Sequence, residues 1–269
     1  MIDKETLQAL QEGHSIDAAN DRVPARYVAA MPSDYKLHDV EKWMSNRRRA
    51  IGSMKTSAVD DFAAYVDQHA ETGATVFVNA EAMRAIAVLN LGAPETPGHA
   101  DNTAEFAPKA TAAFMAMNQI ANGQPRSQQE VAEFMEDWPS LVSCYNEEGN
   151  IANPKAIAAV RKVSIESMRK MESQEKQLSA SRSAFESVQA TSTEPLPTLI
   201  YFETVPYHGL QSRLFVMRLG VRTGGEKPAI TLRIQNMEQH NEEMAKELTE
   251  IVASEIKEIP VLIGTYTAK

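Results

Sequence analysis

The 269-residue sequence contains one cysteine, Cys144, which excludes an intrachain disulfide framework and a cysteine-rich zinc module. No window approaches the roughly 18 apolar residues of a membrane span, so no transmembrane helix is expected. The opening Met1-Ile2-Asp3-Lys4-Glu5 lacks a basic stretch followed by an apolar run, so no signal peptide is expected. A Walker A loop, a dinucleotide-binding glycine fingerprint, a nucleophile elbow and an HExxH pair are all missing. So are internal repeats and low-complexity tracts. The histidines, His14, His38, His69, His99, His208 and His240, are dispersed, and no two share a metal-binding spacing. His99-Ala100-Asp101 comes closest to a metal or acid–base cluster, but it lies in a Pro/Gly loop where polar residues are ordinary. Cys144 has no nearby histidine to activate it. These absences leave no catalytic residue, no metal site and no cofactor to assign. They predict a non-enzymatic, soluble protein of the reducing cytoplasm.

What is present is a hydrophobic fraction of 43%, enough for a sizeable core, and a formal charge of −9 from 27 cations and 36 anions. At roughly 150 residues per domain the length suits one or two domains. Thr6 to Gln11 reads as a short helix stopped by Gly13, Val23 to Pro32 as extended, and Leu37 to Met44 as a helical turn or two. Ser57 reads as the cap of a helix carrying Val59, Phe62, Tyr65, Val66 and His69 on one stripe. Residues 74–79 and 83–91 read as paired strands, 94–102 as a loop, and 109–118 as a third strand with helix as its competitor. Ser127 and Glu130 form a capping box before Val131, Phe134, Met135 and Trp138. Pro154 opens a stretch of helix formers running to about Ser179. Its thin apolar face suits pairing with another copy, so a homo-oligomer is expected, with helix against strand left open around 160–190.

Thr191 to Pro197 is the best linker, dividing an N-terminal α+β region (1–190) from a C-terminal hairpin and helix region (191–269) that also has the option of packing as one domain. After it the pattern is plainly β, with strands at 198–205, 212–222 and 229–236. A helix over 237–258, with Met244, Leu248, Ile251 and Val252 inside, and a short strand at 260–265 complete the chain. The predicted class is α+β, with mainly antiparallel sheets and packed helices.

The hairpin at 212–236 is the most informative feature. Arg213, Phe215, Met217, Leu219 and Val221 share one face, while Ile230, Leu232 and Ile234 share one face of the second arm. Burying these apolar faces leaves Arg218, Arg222, Arg233 and Gln235 on an exposed face. Residues 211–236 carry five cations and one anion, a local charge of +4 in an acidic chain. Such a face fits phosphate binding and base stacking by arginine, and equally an ordinary solvated sheet. Arg47-Arg48-Arg49 forms a second basic cluster that a loop can aim at a phosphate backbone. The final helix is the acidic counterpart, with Glu238, Glu242, Glu243, Glu247, Glu250, Glu255 and Glu258 against Lys246 and Lys257. It suits solubility, shielding of the basic sheet or contact with a basic partner.

Three stretches carry a family resemblance. They are Met31-Pro32-Ser33-Asp34-Tyr35-Lys36-Leu37-His38-Asp39-Val40-Glu41 with the arginines after it, Gln128 to Asp137 (QQEVAEFMED), and Ser179-Ala180-Ser181-Arg182-Ser183 through Val205-Pro206-Tyr207 to Leu232-Arg233-Ile234. Together, in order and across nearly the whole chain, they resemble the YfdQ-like family of phage and prophage proteins, a domain of unknown function. The resemblance carries over no catalytic residue. It implies a setting, an early phage or prophage gene near DNA replication, recombination or counter-defence functions. Two functions compete. One is a single-stranded DNA-binding, annealing or recombination accessory that uses the seven basic and amide residues named above. The other is a counter-defence factor that binds and inhibits a host nuclease or defence complex. An enzyme with an unrecognised site near His99 and Asp101 is a third alternative.

Overall fold

The computed structural model describes residues 4–21, 41–163, 195–222 and 229–267, which divide into two compact units, Met1–Ala50 and Ile51–Lys269. The smaller unit carries α1 (Lys4–Asp21) and a 3-10 turn at Glu41–Trp43. Helix α1 is longer than the six residues expected. It continues through Gly13, where the Ser15 hydroxyl donates to the Gln11 carbonyl and the Gln8 amide to the Glu12 carboxylate. A single mid-helix glycine costs only about 1 kcal/mol, too little to end a helix by itself. The extended segment expected over 23–32 and residues 37–40 of the turn expected over 37–44 lie outside the described residues.

The larger unit is α+β. Its strands are β1 (Gly52–Thr56), β2 (Thr75–Asn79), β3 (Arg84–Val88), β4 (Gly92–Ala93), β5 (Thr96–Pro97), β6 (Asn102–Phe106), β7 (Asn122–Arg126), β8 (Val142–Asn146), β9 (Gly149–Ile151), β10 (Leu199–Thr204), β11 (Arg213–Arg222), β12 (Ala229–Ile234) and β13 (Val261–Ile263). Its helices are α2 (Val59–His69), α3 (Ala112–Ile120), α4 (Gln128–Asp137), α5 (Asn153–Lys162) and α6 (Met237–Glu255). A five-stranded sheet runs β1-β6-β3-β2-β13, antiparallel at its centre and parallel at both edges. A six-stranded sheet, β7-β12-β11-β10-β8-β9, is antiparallel throughout. In it the strands that follow residue 190, β12, β11 and β10, lie together between β7 on one side and β8 and β9 on the other. β4 and β5 form a separate ribbon.

Several elements follow directly from their residues. In β2 the burial alternates, with Val76 and Val78 inside, as a half-buried strand requires. Helix α4 has its expected capping box: the Ser127 hydroxyl accepts from the Glu130 N–H at 3.2 Å, and Glu130 accepts from the Ser127 N–H at 2.8 Å. That N–H, and then the hydroxyl, hold the Glu130 carboxyl below its usual range. Pro125 fits in β7 because β7 is an edge strand, where a missing N–H is tolerated.

Other expectations are corrected. Residues 109–118 are not a strand: α3 occupies 112–120, capped by Thr111, whose hydroxyl accepts from the Phe114 N–H. Ala113, Phe114, Met117 and Ile120 are buried at helical spacing, so alanine and methionine propensity wins over the β reading. Helix α2 is capped at Ala58, without a side-chain bond, rather than at Ser57. The expected loop over 94–102 contains β5 and leads into β6. The helix expected from Pro154 is described only to Lys162. Over that length its small residues Ala156, Ala159 and Val160 are buried. Its remainder, the linker residues 191–194 and the connection 223–228 lie outside the described residues.

Helices cover one face of each sheet. Residues of α3, α4 and α5 pack with Cys144, Ile200, Phe202, Phe215, Met217 and Leu232 of the larger sheet. Phe62 and Val66 of α2 pack with Val76, Val78, Ala85 and Phe106 of the smaller one. Helix α6 belongs to both: Met244 sits in the first core, Leu248 and Val252 in the second. Its rotation is fixed by Arg213 at the start of β11. That guanidinium, only 17% exposed, bonds Glu243 Oε2 and Glu247 Oε2, each at 2.7 Å, while the Gln211 N–H donates to Glu247 Oε1 at 2.6 Å.

Three outcomes follow from this packing. Leu248→Ala is expected to lose about 2–5 kcal/mol in urea unfolding, as a fully buried leucine does on truncation. Arg213→Ala is expected to lose about 2–3 kcal/mol in the same assay, because it strands the largely buried Glu247 carboxylate. Burial pushes the Cys144 thiol from 9.0 up to about 12, so the folded state holds its proton more tightly than the unfolded chain. Its contribution is complete below about pH 9 and is lost as pH rises toward about 12. A thiol-reactive dye at pH 8 should therefore leave the native protein unlabelled and label it once unfolded.

Candidate nucleic-acid interface

In β11 the side chains alternate as expected. Phe215, Met217 and Leu219 face the helices, while Val216 and Arg218 face away. The open face of the six-stranded sheet can be read from its register. Arg218 lies directly opposite Arg233 on one side and Leu199 on the other, and Leu199 lies opposite Tyr145. In the adjoining row Tyr201 sits between Val216 and Ser143. Arg218 and Arg233 are both exposed, and neither pairs with a carboxylate among the described residues. Like charges directly opposite in a sheet repel. The pair therefore carries a standing electrostatic cost that an anion would relieve.

The two arginines line a cleft of ≈ 560 Å³ with Gly220, Thr231, Gln235 and Asn236. Gly220 makes the floor. A Cβ there would come within 2.8 Å of the Thr231 hydroxyl, so the missing side chain is what opens the notch. The β12–β7 register shifts between Thr231 and Arg233, which bends the sheet beside it. At the cleft's end Asn236 adopts a left-handed conformation, φ 52°, and begins α6 without a side-chain cap. Every named lining side chain is cationic or neutral.

Of the residues singled out in the sequence, Arg218, Arg233 and Gln235 come together here. Arg222 pairs with Ala229 through its backbone, and its side chain lies outside the described residues. Arg47, Arg48 and Arg49 belong to the Met1–Ala50 unit. Arg47 and Arg48 are exposed there, and the Arg48 N–H donates to Glu41 Oε1 at 3.0 Å. The sequence reading missed two residues. Tyr145 and Tyr201 lie half-exposed on the same open face, their rings 4.5 Å apart and inclined by 36°. The alternation in β10, with Ile200 and Phe202 inside, was the signal that could have placed Tyr201. Tyr145 could not be placed because β8 itself was not expected.

Asp101 Oδ1 accepts from the Asn90 side-chain amide at 3.0 Å, and Asn90 Oδ1 accepts from the Asn102 N–H. A Cβ on Gly98 would collide with the Asn90 carbonyl, so this loop closes on its own backbone. His69 packs at a tilt against Tyr65 and His240 against Phe215. Among the described residues no three His, Cys, Asp or Glu side chains converge as metal ligands, and no helix is long and apolar enough to cross a membrane.

No curated protein and no solved structure matches the chain. A family model described as an uncharacterized conserved protein (DUF2303) matches residues 2–266. With nearly its whole length matched, the chain belongs to the DUF2303 family.

Proposed function

We propose that the chain is a non-enzymatic phage or prophage accessory protein that binds single-stranded nucleic acid, in replication, recombination or strand annealing. One observation carries the reading: two arginines face each other in register, without carboxylate partners among the described residues, on a sheet face that also presents a tyrosine pair. Arginine pairs with phosphate through two parallel N–H bonds and stacks on bases. Aromatic rings on an open antiparallel sheet stack unpaired bases at about 1–3 kcal/mol each. Strands lie about 4.8 Å apart, so Tyr145, two strands from Arg218, is roughly 10 Å away. A short stretch of extended single strand can span that distance. The net charge of −9 disfavours duplex DNA, whose affinity comes mainly from phosphate neutralisation. A single strand draws on stacking as well. The second reading, a counter-defence factor that binds a host protein, is supported by the outer face of α6, where Glu238 and Glu242 are exposed.

Fluorescence anisotropy of labelled single-stranded and duplex DNA over a salt series tests the first reading. The expected result is single-strand binding that weakens as salt rises and is abolished by combined Arg218→Ala, Arg222→Ala and Arg233→Ala. Tyr201→Ala should cost about 1–3 kcal/mol while leaving the salt slope nearly unchanged. No binding at low salt, or binding indifferent to all four changes, would make this an ordinary solvated face.

A further inference from the structure

A second concavity, on a different part of the larger unit, has the opposite character. It is a groove of ≈ 870 Å³ beside the middle of α6, with Met83, Tyr207, Ala245 and Ile263 forming its apolar floor. Ile263 is 77% exposed and its neighbour Leu262 50%. Both belong to β13, an edge of the five-stranded sheet. Exposed edges are ordinarily blunted by charge or proline, and these two side chains supply neither. Met83, at the β2–β3 turn, adopts a left-handed backbone (φ 49°) and packs against both cores. A non-glycine residue in that region is strained, and such strain clusters at ligand clamps and other functional sites. Methionine also adapts its shape to varied apolar partners.

The rim fixes the charge of the occupant. Glu81, Glu242 and Glu250 border the groove, with Lys246 as its cation. Lys246 lies 3.8 Å from Glu250, leaving Glu81 and Glu242 without a cationic partner among the described residues. The rim is therefore net negative around an apolar floor. We infer that this groove is a docking site for a segment of a partner protein that presents a bulky apolar side chain flanked by lysine or arginine. The apolar side chain seats against Met83, Tyr207 and Ile263, and the flanking cations meet Glu81 and Glu242. The inference is independent of the nucleic-acid reading, and it gives the protein-binding reading a surface. Nucleic acid is disfavoured here, because its phosphates would meet the same carboxylates.

The probe is a short labelled peptide of alternating leucine and lysine, with a leucine/glutamate peptide as its counterpart, titrated against the full chain. Saturable binding of the lysine peptide alone is expected. Ala245→Trp fills the groove without altering charge and should weaken binding at least about tenfold. Glu242→Lys should weaken it comparably, and Arg218→Ala should leave it unchanged. Ile263→Ser supplies the apolar test if Ala245→Trp fails to fold, as read by circular dichroism. Equal binding of both peptides, or lysine-peptide binding that Ala245→Trp and Ile263→Ser leave intact, overturns the proposal. Sedimentation of wild type and Ile263→Ser covers the other occupant: a dimer that the substitution dissociates would assign the groove to a second copy and overturn the partner reading.

Discussion

The fork from Arg213 to Glu243 and Glu247 is the constraint on which the rest of the larger unit depends. Among the described elements, helix α6 is the one whose buried residues belong to both cores, so its rotation decides whether both close. Met244, Leu248 and Val252 lie four apart on one stripe, and Glu243 and Glu247 each precede a member of that stripe. On a helix, residues four apart share a face, so the placement that buries the stripe also delivers both carboxylates to one side. Arg213 reads that side. A rotation by one residue would withdraw the acids and expose part of the stripe together, which couples the ion pairs to the apolar packing.

The same constraint explains why charge survives on the opposite face of the sheet. Side chains in a strand alternate, so Arg213 and Arg218, five positions apart in β11, point to opposite faces. The carboxylates of α6 approach from the helical side and neutralise Arg213. Arg218 and Arg233 lie across the sheet from them. The long acidic helix thus shields one arginine of the basic hairpin and leaves two without a carboxylate partner among the described residues. Its outer carboxylates then rim the groove beside Ile263, so one helix helps create both of the unit's contrasting surfaces.

How much of this the sequence disclosed depended on whether local pattern and tertiary burial agreed. The capping box of α4, the alternation of β11 and β12 and the stripe of α6 are local features, and each was legible. Strand β6 was not, because the residue it buries first is Asn102, whose N–H is satisfied by Asn90 twelve residues back. A buried polar side chain removes the apolar alternation on which strand reading rests. Strand β8 pairs with β10 across more than fifty residues, Cys144 with Ile200, and β9, which pairs with β8, is only three residues long. Helix α3 was misread for the converse reason: its alanines carry no β-branching to argue for a strand, and the Thr111 cap that decides the matter was overlooked. The exposed arginines were legible as residues, but their pairing across the sheet and their company of Tyr145 and Tyr201 exist only in the register.

A cationic patch on a chain of net charge −9 has a limited reach. At about 0.1 M ionic strength, charges beyond roughly 10 Å are screened, so the patch acts on what touches it and cannot steer a distant polyanion. On the proposed nucleic-acid reading, two arginines and a neighbouring amide would engage few phosphates, and stacking would supply much of the remaining affinity. Such a face would hold a single strand briefly unless several copies shared it. Linking copies along one strand converts each later contact into an intramolecular one, raising avidity by about 10²–10⁴ without a new contact. The weakness of one face is therefore consistent with a function carried by an assembly. An apolar groove with an acidic rim, set apart from the basic cleft, would leave such an assembly a separate place for a protein partner while the strand is held.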